Sequence, residues 1–297
     1  MFRDQTSLFW LGLFLLFILL SLSLATGAGV YGAREVLGYL MGDARWAGDE
    51  KLAMVLNTLR IPRTLCAMVV GASLSLAASL LQSATRNPLA DPGILGVNAG
   101  ASFAIVLGAA LFGLSSPQEQ LMMAFCGALA ASLVVAFTGS QGGGQLSPVR
   151  LTLAGVALGA VLEGLSTGIA LLNPDVYDQL RFWQAGSLDI RTLDTLKVVM
   201  IPVIIAAAVA LFLSRALNSL SLGSDTATAL GNRVARTQLT GLLTITVLCG
   251  SATAVVGPIA FIGLMMPHMA RWLVGPIIAG RCRSPCSPPR RCCCLPT

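Results

Sequence analysis

The chain of 297 residues is 55% apolar and only 11% charged, with a mean hydropathy of +0.80. That balance excludes a soluble globular domain of ordinary composition. The formal charge of +6 misleads, because Arg281, Arg283, Arg290 and Arg291 supply four of those charges from the last stretch, 276–297. The remaining charges are scattered, whereas a nucleic-acid-binding face needs clustered basic residues.

Eight apolar stretches lie at 8–26, 64–83, 95–113, 120–138, 151–172, 196–216, 238–256 and 258–274. Each approaches the roughly twenty residues needed to cross about 30 Å of hydrocarbon. The runs are continuous, not alternating in segments of about ten, which selects helices over a barrel. The predicted fold is therefore an all-α polytopic membrane protein, a bundle of eight transmembrane helices over 1–275. The first stretch is read as an uncleaved helix: MFRDQTS before it carries no net positive charge, and the run exceeds a signal h-region of about 7–15 residues. The last stretch is short and contains Pro267 and His268, so its ends are the least defined.

Sidedness is not readable from charge. With a cytoplasmic amino terminus, the inside set is Arg3, Arg86, Arg150, Arg215, Arg233, Arg236 and Arg271. The outside set is Arg34, Arg45, Lys51, Arg60, Arg63, Arg181, Arg191 and Lys197, so the positive-inside rule favours neither orientation.

Between the first two stretches, the segment ends in Leu59-Arg-Ile-Pro-Arg63. Two arginines three apart before a helix suit either a solvent-facing grip on acidic groups or plain interfacial anchoring. The segment Asn87-Pro-Leu-Ala-Asp-Pro-Gly93 reads as a rigid turn that continues neither neighbouring helix. The glycines of 142–148 belong to no GxxxxGK[ST] motif, so any nucleotide site must come from another chain.

Glu163 is the one acid clearly inside a span, where a helix-centre charge costs about 2.5–3.5 kcal/mol. It is a pathway candidate; the structural alternative is a hydrogen bond to Ser166, Thr167 or a neighbouring helix. Gly155 and Gly159, four apart, suit close helix packing. Tyr177, Arg181 and Trp183 read as an interfacial segment. His268 is the only histidine, so a catalytic triad or metal site lacks its parts.

The loop at 218–238 holds a short helix, with Ser224 or Asp225 as its cap and Gly231 as its end. Ala227, Ala229 and Leu230 would be its apolar residues. Alone in water so short a helix is unstable, which leaves two readings: docking into a partner groove, or an ordinary capped loop.

The stretch 276–297, PIIAGRCRSPCSPPRRCCCLPT, shares no composition with what precedes it. Cys282, Cys286, Cys292, Cys293 and Cys294 crowd there, while Cys66, Cys126 and Cys249 sit in apolar runs as small hydrophobes. Three adjacent cysteines make a poor metal site. Palmitoylation is chemically available, but the abrupt change with no core-forming pattern favours an out-of-frame segment.

Taken together, LRIPRTL at 59–65, NPLADPGILGVNAGASF at 87–103, LTLAGVALG at 151–159, DTATALG at 225–231 and GPIAFIGLMMPHMAR at 257–271 resemble one family. It is the permease subunits of ATP-binding-cassette importers for iron–siderophore complexes and vitamin B12. DVYDQLRFWQAGSLDIRT at 175–192 carries the likeness through the middle. The resemblance implies a non-enzymatic permease in the bacterial inner membrane with a cytoplasmic amino terminus. Its partners would be a second permease subunit, two cytoplasmic ATPases that hold ATP and Mg, and a periplasmic siderophore-binding protein. The permease itself would bind no cofactor. Arg60 and Arg63 match the family's arginines that pair with glutamates of the binding protein. Asp225, Ala227 and Gly231 match its E-A-A-x-x-x-G coupling loop, with Leu230 and Arg233 alongside; Asp225 stands for Glu and Thr226 for Ala. Family members have ten helices, so a segment out of frame after 275 would strip packing surface from the bundle. The rival classes are an ion-coupled secondary transporter, for which Glu163 is thin support, and a membrane enzyme, for which no cluster of catalytic groups converges.

Overall fold

The computed structural model describes residues 5–27, 31–43, 45–46, 49–141, 147–188, 193–221 and 223–274. Among these residues there are helices and turns but no strand. The stretch 276–297 lies outside them, as do 142–146.

Every predicted apolar stretch is helical. The corresponding helices are α1 (Gln5–Ala25), α4 (Ile61–Thr85), α5 (Val97–Phe112), α6 (Pro117–Ser140), α7 (Pro148–Leu172), α9 (Leu193–Ser221), α11 (Val234–Val256) and α12 (Ile262–Val274). Among the described residues, five helices are long and apolar enough to cross a membrane: Glu50–Thr85, Pro117–Ser140, Pro148–Leu172, Thr195–Leu220 and Val234–Val256. Trp10–Ala25 and Val97–Phe112 are shorter apolar helices, and α12 has 13 residues. Among the described residues, the short helices α2 (Ala33–Leu40), α8 (Pro174–Gln184) and α10 (Ser224–Ala229) lie in the expected loops, while α3 (Glu50–Val55) runs on into α4.

Local chemistry sets the helix starts. Pro117, Pro148 and Pro174 open α6, α7 and α8, where a missing N–H costs nothing. Ser116 and Glu119 close a full capping box on α6. The eighth stretch begins later than predicted, at Ile262, because Gly257 turns the chain out of α11 at φ 81.

One boundary differs in kind. The LRIPRTL motif does not precede a helix; it lies within a continuous helix from Glu50 to Thr85. Pro62 has no N–H and its ring crowds the carbonyl four residues back. The backbone accommodates this with a π-turn over Leu56–Arg60, closed by the Ile61 N–H on the Leu56 carbonyl.

The bundle is organised around α11, whose apolar window is 72% buried against 17% for α7 and 22% for α9. Ile245 and Leu248 of α11 pack with Leu81 of α4, Leu95 and Leu217 in one continuous core. The tightest pair is α5 and α6. Gly100 and Gly127 face each other so closely that a Cβ on either would overlap the opposing carbonyl. Of the two glycines expected to pack closely on α7, Gly155 lies against the Ile94 carbonyl, while Gly159 is in ordinary contact with Ala99.

Candidate functional site

The short helix α10 is held at its end, not at its start. Its N-cap position falls on Gly223, φ 121, with no side-chain cap bond, so neither Ser224 nor Asp225 caps it as predicted. Asp225 instead sits in the first turn, where its charge complements the helix dipole. At the other end, Gly231 turns left-handed at φ 82. Its N–H donates to the Thr228 carbonyl at 2.9 Å, and the Asn232 N–H donates to the Ala227 carbonyl at 2.9 Å. This pair of bonds is a complete Schellman motif.

The predicted loop residues therefore divide. Ala227 is fully buried in the core shared with Leu217, Leu220 and Val234. Asp225, Leu230, Gly231 and Arg233 are exposed. A residue not singled out in the sequence completes the arrangement. The Asn232 amide donates to the Ala216 carbonyl at 2.8 Å and the Ser219 hydroxyl at 2.9 Å, and its oxygen accepts from the Thr237 hydroxyl at 2.7 Å. The available signal was an asparagine directly after a helix-ending glycine.

The two predicted docking arginines also divide. At the start of α4, Arg63 is exposed. Arg60 is not solvent-facing: it is 5% exposed and donates to the carbonyls of Leu24 at 2.9 Å, Ala25 at 3.2 Å and Tyr31 at 2.7 Å. The carbonyls ending α1 have no intrahelical partners, and the guanidinium fork supplies several donors at fixed geometry. Its Nε has no partner. Next to it, the Tyr31 hydroxyl donates to Asp49 at 3.0 Å, and Asp49 caps α3 through the N–H groups of Lys51 and Leu52. The Leu52 N–H, then the Tyr31 hydroxyl and the Lys51 N–H, hold the Asp49 carboxyl below the usual carboxylate range, outweighing its desolvation.

A cavity of about 530 Å³ opens beside α7, lined among others by Asp91, Asn98, Gly155, Glu163 and Phe261. Glu163 is exposed on α7. The Thr167 and Ser166 hydroxyls donate to the backbone carbonyls of Glu163 and Leu162, so the predicted bond to the Glu163 carboxylate does not form with either. Asp91 is engaged by the Gly93 N–H at 2.7 Å, and the Thr253 hydroxyl of α11 donates to Asn98 at 3.1 Å. Phe261 takes φ 68, a conformation rare for a bulky residue. Tyr177 and Arg181 are exposed on α8, whereas Trp183 packs partly buried against the main core. No group of three His, Cys, Asp or Glu placed to hold a metal occurs among the described residues.

An apolar helical bundle with a cavity between its helices and a short, surface-presented helix between two long ones is the architecture of a polytopic membrane protein. The chain belongs to the FecCD transport family, whose model matches residues 14–279 and so runs four residues past the boundary expected at 275. It is 75% identical over 263 residues to the ferric enterobactin transport system permease protein FepD of Escherichia coli K12, covering 89% of this chain and 78% of that one. The ferric enterobactin transport system permease protein FepG of the same organism is 34% identical over 272 residues, covering 86% and 79%. An inward-facing structure of a protein assigned as a metal-chelate type ABC transporter superposes with a TM-score of 0.75 at 26% identity, over 92% of this chain and 82% of that one.

Proposed function

We propose that this chain is a permease subunit of an ATP-binding-cassette importer that carries ferric enterobactin across the bacterial inner membrane. The observation that carries this reading is the 75% identity to a ferric enterobactin permease over 89% of the chain. The second permease subunit would be a homologue, as FepG is among the relatives. Two ATPase subunits would hold ATP and Mg, because the chain has no phosphate-binding loop. With the amino terminus cytoplasmic, α10 faces the ATPases and Arg63 faces a periplasmic siderophore-binding protein. Arg60 then supports that surface by fixing the end of α1 instead of touching the partner.

The mechanism is mechanical, not covalent. Closure of the ATPases on ATP displaces α10; the bundle passes the movement to the helices around the cavity, and the open side of the pathway changes. Uptake of radioactive ferric enterobactin into vesicles reconstituted with the whole importer, free of the outer membrane, tests this. Uptake should require ATP and persist with an ionophore present. The opposite pattern would favour an ion-coupled transporter using Glu163.

A further inference from the structure

Resting on that reading, α10 poses a mechanical problem of its own. It has six residues, flanked by Gly223 at φ 121 and Gly231 at φ 82, and one buried residue, the single methyl of Ala227. A helix so short has no stability of its own. Hinged at both ends, it would tilt under load and leave the long helices unmoved.

Asn232 removes that slack. Both amide protons are used on α9, at Ala216 and Ser219, one turn apart; the amide oxygen is used on α11, at Thr237. Its backbone N–H closes α10 on Ala227, and its carbonyl accepts from the Val234 N–H at 3.1 Å, at the first turn of α11. Five hydrogen bonds from one residue thus join three helices. Ser219 adds a bond of 2.8 Å to the Ala216 carbonyl, bracing the same turn of α9. Four of the five point away from α10, into helices it must move.

We propose that Asn232 is the positioning residue that couples α10 rigidly to α9 and α11, so that the force received by the exposed face of α10 moves both helices as one unit. It does not itself touch the ATPase. The side chain has no unused donor, and a partner surface would have to break existing bonds to engage it.

The test uses the whole importer reconstituted in vesicles with its second permease, ATPases and binding protein, reading three quantities: ATPase retained on purification, ATP hydrolysed, and ferric enterobactin moved per ATP. Asn232→Ala should retain the ATPase and its hydrolysis within about twofold, while transport per ATP falls about tenfold, the scale of one to two lost hydrogen bonds. Ser219→Ala with Thr237→Val keeps the asparagine but removes two of its partners, and should lower transport per ATP by a smaller factor; it covers the case in which Asn232→Ala does not fold. Unchanged transport per ATP in both variants overturns the proposal. Loss of the ATPase from Asn232→Ala also overturns it, because Asn232 would then belong to the docking surface. Leu230→Asp serves as the separate control: it should release the ATPase, and if it does not, the coupling-loop reading itself is wrong.

Discussion

Replacing Gly231 isolates a backbone effect that packing cannot obscure. The residue sits at φ 82, and a Cβ built there meets nothing within 4 Å, so a side chain finds room but not an allowed conformation. A left-handed residue with a Cβ costs about 1–2 kcal/mol, which corresponds to roughly a five- to thirtyfold loss of the closed Schellman turn. Breaking that turn releases the Gly231 and Asn232 N–H groups from Thr228 and Ala227 and lets α10 fray. Gly231→Val should therefore uncouple ATP hydrolysis from uptake by about tenfold, with Gly231→Ala somewhat milder. Gly231→Asn is the diagnostic partner, because asparagine tolerates the left-handed region and should keep most of the coupling. The assay is transport per ATP in reconstituted vesicles. If the valine and asparagine variants behave alike, or if valine leaves coupling intact, the left-handed turn does not govern this site.

Other expectations follow from single contacts. Gly155→Ala should destabilise the purified protein by about 1–3 kcal/mol in thermal unfolding, since the added methyl overlaps the Ile94 carbonyl and overpacking costs that much. Arg60→Leu should lower the melting temperature, because three carbonyls lose a charged donor, at about 1–3 kcal/mol for each buried group left unpaired; Arg63→Leu, at an exposed position, should leave it unchanged. Arg63→Glu should weaken capture of the binding protein, which a pull-down would show. The depressed Asp49 carboxyl stabilises the segment between α1 and α4 above its unfolded value of about 3.9, and that contribution is lost as pH falls through the lower folded value. The protection of the Lys51 and Leu52 amides, taken relative to their intrinsic exchange rate at each pH, should fall only below about pH 4; a loss of protection beginning near neutrality would contradict the cap.

How much of this was legible in the sequence depends on the range of the interactions. The eight apolar runs each fall on a helix, because hydrocarbon burial is a local compositional property. Among the described residues, however, only five of those helices are long and apolar enough to cross a membrane, and the short helices α2, α3 and α8 lay outside the runs. The short helix near Asp225 was also visible, since glycine marks its end, but its cap was misassigned: Gly223 occupies that position, and serine and aspartate offered a more conventional signal. Arg60 could not be read as buried, because the carbonyls it binds lie 29 to 36 residues earlier in the chain. Pro62 reads as a break in any local scheme, yet a π-turn absorbed it and kept one helix from Glu50 to Thr85. Asn232 was missed for the same reason as Arg60, its partners on α9 being 13 and 16 residues away.

The claim that force enters this protein through α10 is tested most directly by a lone reactive cysteine at the exposed Leu230 in the assembled importer. Labelling by a membrane-impermeant thiol reagent is expected from the cytoplasmic side alone, with protection when the ATPase is bound and a crosslink to that ATPase. Labelling from the periplasmic side, or a site equally open with and without the ATPase, would contradict it.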